Sequence, residues 1–548
     1  MGAVLLKRES TMAEPSYVCG TTTVPLLGQT VGETLRCAAE RFGERPALVV
    51  RHQAYRATYR ELWEQTSRFA RALIAHGIEK GDRVGIWSPN RYEWVVVQFG
   101  AARAGAIVVN INPAYKTAEL EYALQQSGVK LLILSRAFRQ TQYVPMLEEV
   151  RSRCPDLKES IVLEDGWEAL LRDGESVSEG TLAERETAVQ FDEPANIQYT
   201  SGTTGFPKGA TLSHHNVVNN AFFIGEALRL TENDRVCIPV PFYHCFGSVL
   251  GNLGCVTHGA CMVVPGETYD PLEAMQTVQE ERCTTLYGVP TMFIGELDHP
   301  QFDEFDFSSL RTGIMAGAPC PLEVMKKVQS KMHMPEVTIC YGMTETSPVS
   351  TQTALDDPLE KRVSTVGRVH PHVEIKIVAP ESGRIVPRGA TGELCTRGYS
   401  VMLGYWRNEE ATRESIDSAR WMHSGDLAVM DDEGYINIVG RIKEMIIRGG
   451  ENIYPREIEE VLFTHPQIAE ATVIGRADAI WGEQVVAVVV PVAGAALTAE
   501  EVIAFCKERL ADYKLPYEVV FRQNLPTSLT GKVQKKVLRE ELFGRSGG

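Results

Sequence analysis

The residues from Tyr199 to Ala210, Y-T-S-G-T-T-G-F-P-K-G-A, gather the groups that a bound polyphosphate needs. The hydroxyls of Thr200, Ser201, Thr203 and Thr204 can donate to phosphate oxygens, and Lys208 adds a compact positive charge. Gly202, Gly205 and Gly209 let the backbone turn tightly and bring its N–H groups near a ligand. The spacing is not that of the common phosphate loop, in which Gly-Lys-Ser/Thr follows a first glycine by four residues. Here Lys208 follows Pro207, and Gly209 stands where a magnesium-binding hydroxyl would be. A plain Gly/Thr surface loop is the simpler alternative, but ordinary loops rarely combine these residue types so densely. The preceding run Asn196–Tyr199 predicts a short strand, anchoring the loop on a sheet edge.

Further along, Tyr341-Gly342-Met343-Thr344-Glu345 follows the apolar run Val337–Cys340. A strand ending in a glycine turn places Thr344 and Glu345 at the carboxyl edge of a sheet, where open α/β sheets bind ligands. A carboxylate there can hold Mg²⁺ against phosphates, or simply favour the first turn of a helix. Ser424-Gly425-Asp426 precedes the strand-like Leu427-Ala428-Val429. Asp426 can accept from a ribose diol, or serve as a turn aspartate. Arg441 offers a guanidinium beside a domain junction, or a solvated linker charge. Lys532 follows Gly531 in a tail with Lys535 and Lys536, and spacing alone leaves it an exposed lysine.

The elements that must position these groups follow an α/β pattern. Arg83–Trp87 predicts a strand, Trp94–Ala104 a helix, Ile107–Val109 a strand, Glu119–Gln126 a helix and Lys130–Leu134 a strand. Pro271–Cys283 predicts a helix leading to the strand Thr284–Leu286. Such alternation gives a mostly parallel, helix-covered sheet. Near residue 440 the texture changes. A strand over Gly434–Ile438 and the Gly449-Gly450 break precede a helix opening on Pro455 with Ile458, Val461 and Leu462 on one face. Strands near Ala471–Ile474 and Glu483–Val490 follow, and Thr498-x-x-Glu501 is a capping box whose helix presents Ile503, Cys506 and Leu510. The expected fold is a large N-terminal domain of helix-covered, mostly parallel sheets over residues 1–442. A small α+β domain over 443–548 completes it.

The 548 residues call for at least two domains, and 44% apolar with 23% charged residues is ordinary globular composition. A net charge of -16 argues against nucleic acid as the main partner, so an anionic ligand needs a local patch that opposes the global field. The twelve cysteines show no C-x-x-C pair and read as reduced, mostly buried thiols. The run Val485–Leu497 is too short and broken to span a bilayer. Leu6 stands where a myristoylation signal wants Ser or Thr, and the N-terminus makes a poor transit peptide, so the cytoplasm is the expected location.

Together these motifs resemble, in order and over residues from about 30 to 540, the acyl-adenylate-forming (AMP-binding) superfamily of acyl-CoA synthetases, luciferases and peptide-synthetase adenylation domains. The stretch Gly440–Pro455 (G-R-I-K-E-M-I-I-R-G-G-E-N-I-Y-P) and Thr530-Gly531-Lys532 complete the set. Pro241-Phe242-Tyr243-His244-Cys245-Phe246-Gly247 and Arg448–Pro455 are most similar to the branch of medium-chain fatty acid ligases called acyl-CoA synthetase family member 2.

The resemblance implies two steps. A fatty carboxylate attacks the α-phosphate of Mg·ATP to give acyl-AMP and pyrophosphate, and the coenzyme A thiol then displaces AMP. By family position Thr200, Ser201, Gly202, Thr203, Thr204, Gly205 and Lys208 hold the β,γ-phosphates, with Glu345 and Thr200 at Mg²⁺. Gly317, Ala318, Pro319 and Tyr341 flank adenine, beside Gly342 and Thr344. Asp426 takes the ribose hydroxyls with Arg441 nearby, and Lys532 bridges the attacking carboxylate and the α-phosphate. His244 gates the acyl pocket from the thiol tunnel. Lys443 is the hinge about which the small domain turns, bringing Gly449 and Gly450 to the tunnel in place of Lys532. Pocket depth falls to Ser248, Met292 and Met343.

The rival readings are an aryl- or branched-acid ligase and a nucleotide-binding homologue without catalysis. An amino-acid activator is disfavoured, because no aspartate stands in Pro241–Gly247 to pair an α-amine. Acyl chain length and the choice between monomer and homodimer stay open.

Overall fold

Short β-branched runs become strands in this chain, and the longer segments between them become helices laid on the sheet faces. The computed structural model describes residues 14–200, 207–318, 320–449, 451–478, 480–528 and 532–544. Its contacts part the chain into a larger unit of 20–373, 396–422 and 524–548, and a smaller one of 1–19, 374–395 and 423–523.

In the larger unit, Arg83–Trp87 is a strand whose last four residues are buried. The helix Tyr92–Arg103 follows, then the strand Ile107–Asn110, the helix Thr117–Ser127 and the strand Val129–Leu134, as the apolar spacing predicts. These strands join a seven-stranded sheet. Its order is Gly404–Tyr405, Lys208–Ser213, Pro194–Thr200, Ile107–Asn110, Arg83–Trp87, Val129–Leu134 and Glu159–Val162. The strand before the glycine-rich loop, Pro194–Thr200, therefore lies inside the sheet and not on its edge. It pairs in parallel with Ile107–Asn110 and antiparallel with Lys208–Ser213. Nothing in the residue order marked a hairpin here, because the partner strand begins at Lys208 itself.

A nine-stranded sheet carries the second group of motifs. Its order is Arg368–Val369, Val349–Gln352, Glu336–Gly342, Thr312–Ala316, Thr285–Gly288, Arg235–Cys237, Cys261–Val264, Pro46–Val50 and Tyr55–Thr58. The interior pairs are parallel, and antiparallel strands close both ends. Sheets and covering helices share a continuous apolar core that includes Trp94, Phe99, Phe242 and Tyr287.

The smaller unit holds two sheets of five strands. One runs Tyr17–Cys19, Val373–Val378, Gly392–Gly398, Met422–Met430 and Ile436–Arg441. Ser424-Gly425-Asp426 lies within its fourth strand, not ahead of it. The other sheet is built on the long hairpin Ile468–Asp478 and Gly482–Pro491. The helix Pro455–Phe463 has its proline in the first turn and buries Ile458 and Leu462, with Val461 packed against the same cluster. Thr498 and Glu501 form the capping box, yet that helix buries Val502 and Cys506, and Ile503 is only partly covered. Cys506 and Leu510 join the core as expected, and Val502 takes the place of Ile503.

All twelve cysteines are thiols outside any disulfide, and ten are buried. Among the described residues no helix is long and apolar enough to cross a membrane.

Beneath the nine-stranded sheet, the helix Pro290–Leu297 buries Glu296 at 1% exposure, with Oε2 lacking a hydrogen-bond partner among the described residues. Burial pushes its carboxyl from the ordinary 4.5 up to about 8. The group stays protonated in the fold while it ionises in the unfolded chain, so its stabilising contribution is complete below pH 4.5 and is lost as pH rises to about 8. Glu296→Gln should flatten stability over that window in denaturant titrations at stepped pH. An unchanged pH dependence would show that the carboxyl is not held neutral.

Candidate active site

The glycine-rich loop is fixed at its two ends. Thr200 and Lys208 face each other in the antiparallel register, and the Thr200 hydroxyl lies 3.4 Å from the Lys208 carbonyl. Ser201, Gly202, Thr203, Thr204 and Gly205 fall outside the described residues, as do Pro319 and Gly450. The Lys208 ammonium sits 5.1 Å from the centre of the Tyr405 ring, a cation–π contact.

Glu345 is the centre of this group. Its backbone forms the short 3-10 turn Thr344–Thr346 after the strand Glu336–Gly342, and its side chain is buried at 5% exposure. One carboxylate oxygen, Oε1, accepts the Thr200 hydroxyl at 3.1 Å and the Tyr405 hydroxyl at 2.8 Å. The Glu345 carbonyl also accepts the Met402 N–H at 2.9 Å. Burial, and then the facing carboxylate, push the Tyr405 phenol up, so it remains the donor. The strand ends in Gly342 because a Cβ there would stand 1.7 Å from the Pro348 carbonyl oxygen. A hydroxyl and a carboxylate brought together are hard oxygen donors, the set that suits Mg²⁺.

The next residue back, Thr344, leads to the second group. Its hydroxyl lies 3.9 Å from Cys245 Sγ, and that thiol lies 3.8 Å from His244 Nδ1. His244 Nδ1 accepts the Phe246 N–H at 3.1 Å, which leaves its proton for Nε2. Burial, with the Lys532 charge behind it, lowers the His244 imidazole to about 4, so the ring is neutral at physiological pH. Lys532 acts on the Cys245 thiol as well, which burial pushes up to about 12. At Gly317, φ is +90°, and a Cβ would meet Val289 at 3.2 Å and Lys532 Cε at 3.9 Å. Ala318 follows in the same bend, and Tyr341 stands next to Gly342 in the strand. The larger unit thus brings Thr200, Lys208, Glu345, Thr344, His244, Gly317 and Lys532 into one connected set.

A cavity of about 340 Å³ opens in the same unit, lined by Tyr243, Val289, Met292, Arg139, Glu267 and Ser528 among others. Of the three residues expected to set pocket depth, only Met292 lines it. Ser248 is buried and donates to the His244 carbonyl, and Met343 packs on the main core.

In the smaller unit, Asp426 and Arg441 are partners across two antiparallel strands, with Nε 2.9 Å from Oδ1. Lys443 lies in the 3-10 turn Ile442–Glu444. Gly449 has φ +61°, and its N–H donates to the Trp481 carbonyl at 2.8 Å.

Two residues in these surroundings escaped the sequence reading. Tyr405 gives Glu345 its second hydrogen bond, and Glu393 accepts the Gly425 N–H. Neither belongs to a spaced cluster. The Gly-Tyr-Trp and Gly-Glu-Leu contexts offer only a strand signal, so nothing in the chain marked them.

The family model described as AMP-binding enzyme matches residues 35–406, and the one described as AMP-binding enzyme C-terminal domain matches 457–532. A putative acyl-CoA synthetase, YngI of Bacillus subtilis, is 46% identical over 95% of this chain and 99% of its own length. The medium-chain acyl-CoA ligase ACSF2, mitochondrial, of Danio rerio is 44% identical over 96% of this chain and 90% of its own. Among solved structures, the anthranilate CoA ligase AuaEII in complex with anthranoyl-AMP superposes with a TM-score of 0.83 at 25% identity. That match covers 95% of this chain and 98% of that one.

Tyr405→Phe keeps the ring beneath Lys208 and removes one hydrogen bond to the buried carboxylate. The expected loss is about 2 kcal/mol of unfolding free energy, read from denaturant midpoints. An unshifted midpoint would mean that the hydroxyl does nothing to hold Glu345.

Proposed function

The chain belongs to the AMP-binding enzyme family, and on that premise we propose that it is a medium-chain fatty acid–CoA ligase. As an AMP-forming acyl-CoA ligase it uses ATP to convert a carboxylic acid to acyl-AMP, then transfers the acyl group to coenzyme A with release of AMP. The fatty substrate is the finer part of the reading. It is supported by the zebrafish relative, named as a medium-chain ligase and similar along nearly the whole chain.

The observation that carries the adenylating role is the connected set from Thr200 through Glu345 and His244 to Lys532. In the first step a carboxylate oxygen attacks the α-phosphorus and the bond to the bridging β-oxygen breaks, releasing pyrophosphate. Such chemistry needs positioning and charge neutralisation more than a protein nucleophile. Lys532 is the proposed cation between carboxylate and α-phosphate. Lys208 and the loop hydroxyls are assigned to the departing pyrophosphate, and Asp426 to the ribose. Glu345 and Thr200 would hold Mg²⁺, which when bound neutralises phosphate charge. Gly317, Ala318 and Tyr341 are assigned to the adenine. His244, uncharged and already bonded through Nδ1, suits a gate that leaves the charge balance to Lys532.

In the second step the thiol sulfur attacks the acyl carbon and AMP leaves. Arg139, Glu267 and Ser528 in the cavity wall favour the pantetheine arm there over an alkyl chain, which gains nothing from charged lining. The domain boundary near residue 442 and the hinge at Lys443 belong to the same proposal. So does a cytoplasmic setting, which twelve cysteines outside any disulfide favour; the zebrafish relative is itself named as mitochondrial.

Pyrophosphate release with CoA across straight, branched and aromatic acids of graded length tests the substrate class. Medium straight chains should give the highest kcat/KM; a preference for aromatic acids, as the anthranoyl-AMP complex of the structural neighbour suggests, would replace the fatty reading. Lys532→Ala should lower acyl-AMP formation by about a hundredfold or more while sparing thioester formation from supplied acyl-AMP. Equal loss of both half-reactions would remove Lys532 from its role. Met292→Trp, filling the cavity, should abolish thioester formation and leave acid-dependent pyrophosphate exchange intact. Loss of exchange instead would assign the cavity to the acyl chain.

A further inference from the structure

The smaller unit holds an acidic side chain that none of these roles uses. Glu393, second residue of the strand Gly392–Gly398, is 12% exposed at its side chain. Both of its carboxylate oxygens are committed to the neighbouring strand. Oε1 accepts the Gly425 N–H at 3.0 Å, and Oε2 lies 2.8 Å from His423 Nδ1. One residue on, the Leu394 carbonyl accepts the Ser424 hydroxyl at 2.6 Å, and Ser424 Oγ accepts the Asp426 N–H at 3.0 Å. His423, Ser424 and Gly425 are thus each tied to the strand that carries Glu393, and Asp426 is held by Ser424 Oγ on one side and by Arg441 on the other.

The turn has a reason to need such ties. Gly425 has φ +71°, in the left-handed region, and nothing lies within 4 Å of where its Cβ would be. The space beside Gly425 is open, and glycine has more backbone conformations open to it than any other residue. The Glu393 carboxylate adds a restraint at this glycine by accepting its N–H.

The third neighbour is Cys395, whose Sγ lies 3.5 Å from the same His423 Nδ1. The three donor atoms fall within 4.8 Å of one another, as metal ligands do. Ligands on a tetrahedral zinc, however, stand about 3.3 Å apart when both are nitrogen or oxygen. The 2.8 Å between Nδ1 and Oε2 is a hydrogen-bond distance. The Cys395 thiol and then the Glu393 carboxylate raise His423 to about 10, so the imidazole is charged and balances the carboxylate. The cluster is an ion pair with a thiol beside it.

We propose that Glu393 is a positioning residue for nucleotide recognition. Through the Gly425 N–H and the His423 imidazolium it fixes the Ser424–Asp426 turn so that Asp426 meets the ribose hydroxyls. The inference rests on the assignment of Asp426 to the ribose, and it can fail separately from that assignment.

The test measures kcat/KM for pyrophosphate release by the full-length enzyme with ATP and with 3′-deoxy-ATP. Wild type should prefer ATP, and Asp426→Ala should lose the preference. Glu393→Ala should cut the ATP/3′-deoxy-ATP ratio by about tenfold or more, with KM for the acid and for CoA unchanged. Glu393→Gln keeps an acceptor for Gly425 but cannot pair with the imidazolium, so it should keep part of the ratio. It also carries the comparison if the alanine variant does not fold, as judged by thermal melting. A merely structural role would lower both nucleotides alike. A wild-type ratio in both Glu393 variants, with Asp426→Ala having lost it, overturns the positioning role. A wild-type ratio in Asp426→Ala overturns the ribose assignment and this inference together.

Discussion

A single buried oxygen joins the two large sheets where the chemistry is expected. Glu345 Oε1 belongs to the end of the nine-stranded sheet, and both hydroxyls that reach it, from Thr200 and Tyr405, belong to the seven-stranded one. A buried carboxylate is costly unless its lone pairs are filled by good donors. Here the donors come from the strand that launches the phosphate loop and from the edge strand beside it. Stability and function therefore ask for the same geometry. The sheets must dock so that Thr200 meets Glu345, and that docking places an acidic group at the base of the loop.

The charge balance around this oxygen explains the rest of the arrangement. The chain carries -16 overall, so a polyphosphate meets an unfavourable field until it reaches a local positive group. Lys208 supplies one, set over the Tyr405 ring, and Lys532 supplies another near Gly317. His244 could have added a third charge, but burial and Lys532 keep it neutral. Lys208 and Lys532 thereby carry positive charge on long, flexible side chains close to the buried carboxylate and the neutral imidazole.

Much of this was legible in the sequence, and the gaps have physical causes. Apolar period and turn residues marked the strand Arg83–Trp87, its following helix and the capping box at Thr498, because local propensity and tertiary structure agree there. The five motifs stood out because each gathers unusual residue types within a few positions. The hairpin joining Thr200 to Lys208 was not, since pairing depends on residues across the loop. Tyr405 and Glu393 were invisible for a deeper reason. Each acts through a partner far away in the chain, as Tyr405 does on Glu345 sixty residues before it, and a lone aromatic or acid beside a glycine has no spacing to read. The helix Ala499–Lys507 shows the remaining limit: the pattern found the element and placed Cys506 in the core, but packing buried Val502 in place of Ile503.

The two-residue strand Gly404–Tyr405 also bears on how the protein is made. It completes one edge of the seven-stranded sheet, yet its tyrosine leaves the ribosome long after the strand it pairs with. Thr200 and Glu345 are themselves 145 residues apart. Early strands can pair with near neighbours as they emerge, but the contacts around Glu345 bring together distant segments and must close last. A nascent chain that stops short of Tyr405 can build most of that sheet without assembling the catalytic set. Closure around Glu345 during synthesis thus waits for this edge strand, and Lys532, later still in the chain, joins the set only after it.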